Sequence, residues 1–230
     1  MQPNADNTLL DMRDVAFTWK AKSRFSVYIE NFTIPKGQSI FLQGASGSGK
    51  STLLGLITGM NSPDTGQIHV AGVDITQLKS SEKDKFRADN IGIIFQQLNL
   101  IPFSSPLANI KLASAFKSFK KNTDADIFAL TRSLNLDDDL IINARASELS
   151  IGQQQRVAVA RALIGNPALI IADEPTSALD EDAQNIFIDL LFNQVEKIGA
   201  SLLMVSHDAR LAGRFHQAIN IADICKTRRS

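Results

Sequence analysis

Gly44-Ala45-Ser46-Gly47-Ser48-Gly49-Lys50-Ser51 satisfies the pattern G-x-x-x-x-G-K-[ST] at every required position. Its flanks are the ones such a loop needs. An apolar run at 39–43 leads into it, and residues 50–58 carry Leu53, Leu54, Leu56 and Ile57 at helical spacing. A glycine-rich turn lets successive backbone N–H groups point at one anion. The helix that follows adds the positive end of its dipole. Lys50 is expected to reach the β- and γ-phosphates of a nucleotide, and Ser51 to offer its hydroxyl to Mg2+. The segment commits the chain to a strand, a turn and a helix, and to the chemistry of nucleoside triphosphatases and kinases.

The surrounding pattern is α/β. Residues 9–19 and 25–34 read as strands rich in β-branched and aromatic side chains, and 67–75 as another after a turn at 62–66. Short apolar runs at 91–95, 168–172 and 201–206 have the look of parallel strands covered on both faces. Between about 99 and 150 the strand signals stop, while 109–119 and 124–136 read as helices. A single domain over 1–230 with a helical insertion at about 99–150 accounts for this.

Composition narrows the partners. Twenty-four Lys and Arg balance 24 Asp and Glu, which argues against a broad basic surface for nucleic acid. Cys225 is the only cysteine, so no intramolecular disulfide forms and a reducing compartment fits. No apolar run approaches the ~18–20 residues that span a bilayer. The first residues lack a basic-then-apolar leader pattern. A cytoplasmic protein is expected, and any work at a membrane requires another chain. The basic tail Lys226-Thr227-Arg228-Arg229-Ser230 is expected to be solvated.

Two acids end an apolar run in Leu169-Ile170-Ile171-Ala172-Asp173-Glu174. Asp173 is placed to hold Mg2+, usually through its water. Glu174, one residue on, is placed to polarise an attacking water as general base. A surface turn before Pro175 is the plainer explanation of the pair, and the loop upstream weighs against it.

Leu149-Ser150-Ile151-Gly152-Gln153-Gln154-Gln155-Arg156 resembles the signature motif of the ATP-binding cassette (ABC) ATPases. Ser150 would serve equally well as a helix N-cap. Other segments of that family follow in order. Gln96 resembles the glutamine that contacts Mg2+ or water, Ser177-Ala178-Leu179-Asp180 the D-loop, and His207 the histidine that contacts the γ-phosphate. Val15-Ala16-Phe17-Thr18-Trp19 resembles the aromatic loop, with Trp19 where Tyr is usual; a core role for Trp19 is the alternative. The resemblance implies a P-loop (RecA-like) core with an N-terminal antiparallel β subdomain and a helical subdomain. It implies ATP binding by Trp19, by residues 44–51 and by Thr52. It also implies Mg2+ held by Ser51, Gln96 and Asp173, and turnover by Glu174, His207 and Gln96. Ser150, Ile151, Gly152 and Gln153 would complete the site of a second subunit, so a homodimer or a paired ABC subunit is implied.

At a finer grain, Gly72-Val73-Asp74-Ile75, Phe86-Arg87, Ile91-Gly92-Ile93-Ile94-Phe95-Gln96 and Asn99-Leu100-Ile101-Pro102 resemble the lipoprotein-release, macrolide-export and cell-division group. That group implies an integral membrane permease of FtsX/MacB-like type, with the cassette peripheral on the cytoplasmic face of the inner membrane. Ile151 departs from the family's usual Gly, and its bulk bears on rate. Two other functions stay open: a soluble ABC ATPase that helps assemble an iron–sulfur cofactor, and a nucleotide-switched scaffold.

Overall fold

A computed structural model describes residues 7–19, 25–45, 47–117, 122–177 and 179–229. Two compact units result, one from Met1–Arg87 with Ser201–Ser230 and one from Ala88–Ala200.

In the first unit an antiparallel sheet is built from β1 (Thr8–Trp19), β2 (Phe25–Pro35), β4 (Thr65–Val70), β5 (Val73–Asp74) and β10 (Lys226–Arg229), in the order β10-β2-β1-β4-β5. Leu10, Met12, Val15, Ile29 and Ile34 are wholly buried; the period-2 alternation changes phase once in each strand, in β1 at Asp14, whose φ is +50°. A second set is parallel: β3 (Ser39–Gln43) lies between β8 (Ser201–Val205) and β9 (Gln217–Asn220), with Phe41 opposite Met204 and Ala218. All five residues of β8 are buried, which explains its continuous apolar run. Helix α1 (Lys50–Ile57) follows β3, and helix α2 (Ser80–Asn90) clasps its far end. Arg87 Nη1 donates to Thr58 O at 3.2 Å, and Lys83 Nζ to Ser62 Oγ at 2.7 Å. Arg87 thus sets a cation on a carbonyl at the negative end of α1, and Lys83 ties α2 to the turn that follows.

The second unit pairs β6 (Ile91–Ile94) in parallel with β7 (Leu169–Asp173). Its helices are α3 (Pro106–Ala115), α4 (Asp124–Ser133), α5 (Asp138–Asn143), α6 (Ile151–Leu163) and α7 (Glu181–Ile198). Their starts follow local capping chemistry. Ser105 caps α3 before Pro106, Thr123 and Asp126 form a capping box on α4, and Asp180 caps α7 through Ala183 N at 2.8 Å.

Several sequence expectations are corrected. The run at 67–75 is two strands, because Ala71 and Gly72 take positive φ and turn the chain between Val70 and Val73. Helix α3 starts at Pro106 rather than 109, since Ser105-Pro106 supplies the cap and first turn. Helices α2, α5 and α7 were not anticipated; α2 buries only Lys83, so it carries no apolar stripe to detect. The basic tail is solvated, with Lys226, Thr227 and Arg228 exposed, and it is also a strand: Lys226–Arg229 pairs with β2, Thr227 opposite Val27, covering an otherwise bare sheet edge.

Gly92 on β6 has no room for a side chain. A Cβ there would lie 2.2 Å from Ala162 O and 2.8 Å from Ile170 Cδ1. Gly92→Ala is therefore expected to cost about 1–3 kcal/mol by overpacking. At Gly152 an added Cβ meets nothing within 4 Å, so Gly152→Ala should not lower stability. Urea unfolding of the two variants is the check.

Candidate nucleotide site

The phosphate loop leaves β3 and closes onto α1 within the first unit. Gly47 and Gly49 have φ of +75° and +100°, a region that L side chains avoid. Gly49 is the N-cap of α1 and offers no side chain, and the first turn holds no acid. The helix N-terminus therefore keeps its donors and its positive end for an external anion. Ser48 Oγ is buried with no hydrogen-bond partner among the described residues, a polar atom that a phosphate oxygen would satisfy. Lys50 Nζ donates to Gly44 O at 2.6 Å and to Ala45 O at 3.1 Å, so its charge is held against the loop. Ser51 is exposed and Thr52 buried. Ser46 lies outside the described residues.

Trp19 ends β1 and is 43% exposed. Its Nε1 donates to Thr52 Oγ1 at 3.1 Å, and Phe17 meets it edge to face with ring centroids 5.2 Å apart. The indole is thus tied to the first turn of α1 while much of its surface stays in solvent, unlike a core residue. His207 follows β8 and is exposed. His216, which matched no motif, has a structural part: Nδ1 accepts from Ser39 N at 3.1 Å and lies 2.7 Å from Ser39 Oγ.

The second unit carries the remaining residues. Asp173 closes the buried strand β7, and Glu174 follows with φ +47°. A non-glycine residue in that region is strained, and the neighbouring backbone is held from two sides. Gln155 of α6, itself buried, donates to Pro175 O at 3.1 Å; Gln184 of α7 donates to Thr176 Oγ1 at 3.0 Å. Gln96 lies just past β6 and is exposed. Ser150 caps α6: its Oγ accepts from Gln153 N at 3.3 Å, and Gln153 Oε1 accepts from Ser150 N at 2.9 Å. Ile151 is 57% exposed beside Gly152. Ser177 is exposed, Leu179 is partly buried, Asp180 is the cap of α7, and Ala178 lies outside the described residues.

Three supporting residues escaped the sequence reading: Gln155, Gln184 and Arg161. Arg161 on α6 donates to Asn99 O and Leu98 O, both at 2.6 Å, and burial pushes its guanidinium below the usual range. It fastens the stretch that follows Gln96. Residue type alone holds no signal for this, because the partners are backbone carbonyls.

Among the described residues no three His, Cys, Asp or Glu side chains gather as a metal cage. Ser51 in the first unit and, separately, Asp173 in the second each offer an oxygen of the kind Mg2+ takes, an ion that needs few protein ligands.

Residues 29–177 match the family model described as ABC transporter. The chain belongs to the ABC transporter ATP-binding family. An ABC transporter ATP-binding protein of Methanocaldococcus jannaschii is 35% identical over 92% of both chains. The lipoprotein-releasing system ATP-binding protein LolD of Buchnera aphidicola is 41% identical over 77% of each. The macrolide export ATP-binding/permease protein MacB of Rhodopirellula baltica is 34% identical over 83% of this chain and 28% of its own length. A dimeric ATP-binding cassette solved in a post-hydrolysis state with ADP and phosphate superposes with a TM-score of 0.79, at 32% identity, over 92% of this chain and 94% of its own. The fold is that of the ABC cassette, and ATP is the nucleotide of the family. No helix among the described residues is long and apolar enough to cross a membrane.

This cassette has one tryptophan, so its fluorescence reports on the site. Trp19→Ala is expected to weaken MgATP binding by about 1–3 kcal/mol through lost stacking, while Trp19→Tyr retains affinity. Titration calorimetry decides, and full affinity in Trp19→Ala would remove the indole from the site. Lys50→Ala should lose measurable binding or turnover; near-normal values would dismiss the assignment of the loop.

Proposed function

We propose that this cassette binds and hydrolyses MgATP as a head-to-tail dimer, and that the cycle drives a separately encoded permease of FtsX/MacB-like type. The observation that carries the reading is the extent of the likeness to LolD, 36% identity in the Shewanella denitrificans protein over 84% of this chain and 82% of that one. The whole chain is read as one nucleotide-binding domain with a helical insertion at about 99–150. It acts from the cytoplasmic face of the inner membrane, where the permease holds it. Cofactor assembly and a non-hydrolysing scaffold find no support in the relatives named above.

Each residue then has a task. The loop N–H groups and Lys50 bind the β- and γ-phosphates, and Trp19 stacks on adenine. Ser51, Asp173 and Gln96 serve Mg2+, whose charge offsets that of the phosphates. Glu174 takes the proton of the attacking water, and His207 contacts the γ-phosphate. Ser150, Gly152 and Gln153 meet the nucleotide of the partner subunit, with residues 177–180 between the two sites. The capping box at Ser150 is compatible with this, since a hydroxyl that accepts from Gln153 N still has its own proton to donate. Ile151 adds bulk at the same place and bears on rate.

Glu174→Gln keeps the side chain's size but removes the base. MgATP should then convert the protein from monomer to a stable dimer, because ligand bound only by the dimer favours it by mass action. Adding Ser150→Arg should abolish the dimer and spare ATP binding. Light scattering with and without MgATP makes the measurement. A Glu174→Gln protein that binds ATP yet stays monomeric at high concentration, alone and with its permease, would sink the dimer mechanism.

A further inference from the structure

Both ends of the phosphate loop rest on one stretch of chain that no motif marks. Beyond β9, where Asn220 lies opposite Gln43 of β3, the chain forms the short helix α8 (Ile221–Ile224), passes Cys225 and enters β10. At the first end of the loop, a Cβ added to Gly44 would lie 2.4 Å from Ile221 Cγ2. Real side chains do not approach so closely, so Gly44 sits directly on the isoleucine. At the other end, a Cβ added to Gly49 would lie 3.3 Å from Cys225 Sγ, 3.4 Å from Val27 Cγ1 and 3.5 Å from Thr227 Cγ2. Ile221 is wholly buried and Cys225 is 4% exposed. The two are linked by Cys225 N donating to Ile221 O at 2.8 Å. Thr227 is held opposite Val27 by the β10–β2 pairing.

We infer that residues 221–227 are a positioning element of the ATP site: Ile221 sets where the loop leaves β3, and Cys225 and Thr227 hold Gly49 where α1 begins. None of the three touches nucleotide; each acts through a glycine. The need for them follows from the loop's composition. Its backbone N–H groups must all point at one phosphate, yet its glycines have the largest freedom to lose and no side chains with which to fix themselves. Order has to come from neighbours that already stand in place, and a pre-ordered loop binds more tightly because less freedom is lost on binding. Cys225 suits this passive part. Burial pushes its thiol up to about 11, so at neutral pH it is an uncharged, polarisable packing group.

The inference rests on residues 44–51 being the ATP loop, and the experiment separates the two. MgATP affinity is measured by calorimetry for the wild type and for Ile221→Ala, Ile221→Val, Cys225→Ala and Thr227→Ser. The last removes only the methyl group that faces Gly49. A control is Ile141→Ala, a wholly buried site in the second unit, with thermal melting recorded for every variant. Ile221→Ala and Cys225→Ala are expected to weaken binding about fivefold or more, the low end of typical coupling between sites. Ile221→Val should restore binding to within about twofold, because it keeps both γ-carbons, the one facing Gly44 included, and loses only Cδ1. Thr227→Ser should fall between, and the control should melt earlier with its affinity unchanged. Should Ile221→Ala not fold, Ile221→Val, Cys225→Ala and Thr227→Ser carry the comparison alone. Variants that melt earlier but bind MgATP like the wild type would overturn the inference, as would an equal loss of affinity in the control. A wild type that binds no MgATP would instead overturn the reading of the loop itself.

Discussion

The turn from β3 into α1 has no room for a side chain at Gly44 and is closely packed at Gly49, where it meets the rest of its unit. Gly44 lies against Ile221, and Gly49 against Cys225, Val27 and Thr227. Much of the first unit is arranged around that contact. β3 is held between two parallel neighbours in a fixed register, which sets where the loop begins. Helix α1 buries six of its eight residues and is held at its far end by Arg87 of α2, while Lys83 holds Ser62 in the turn beyond it. The loop is thus fixed at its start, along its base and at the end of the helix it opens. The glycine N-cap and the acid-free first turn of α1 leave the positive end of that helix for an anion. The same antiparallel sheet brings Trp19 to Thr52, so the aromatic surface and the phosphate-binding turn share one hydrogen bond.

In the second unit helix α6 plays the organising part. Its N-terminus is closed by Ser150 and Gln153, its middle holds Pro175 through Gln155, and its later turns hold Leu98 and Asn99 through Arg161. Three segments assigned to separate tasks in ATP turnover are referred to one rigid element. The buried amide and the desolvated guanidinium are costly to leave unpaired, which keeps these connections in place. Glu174, in a left-handed backbone conformation, is bracketed by such supports rather than by covalent constraint. Strain of about 1–3 kcal/mol at such a residue persists only where surrounding contacts over-determine it.

The places where sequence reading failed have separate physical causes. Helix α2 turns little but Lys83 inward, so hydrophobic periodicity had nothing to register. The basic tail reads as a solvated end, and Lys226, Thr227 and Arg228 are exposed; the strand β10 was missed because it depends on β2 offering an edge and Val27 a partner. Gln155, Gln184 and Arg161 act on backbone oxygens or on a threonine hydroxyl, and any neighbour can supply those. The break at Ala71-Gly72 was legible in principle, since Gly in a strand pattern signals a turn or bulge.

What the sequence by itself determined is the family and the segments that carry its motifs. The spacing of Gly44, Gly49, Lys50 and Ser51, the acids Asp173 and Glu174 at the end of an apolar run, and the order of Gln96, Ser150 and His207 are linear facts. They can be read without the packing, because each motif is a pattern of residue types along a short segment. Tertiary structure alone decided what holds those segments still. That Ile221, Cys225 and Thr227 lie against the loop, that Trp19 bonds to Thr52, and that Arg161 fastens the stretch after Gln96 are contacts between residues 33 to 178 positions apart. Such contacts arise from how strands choose neighbours and how helices fill the space left, a choice made by the whole chain at once.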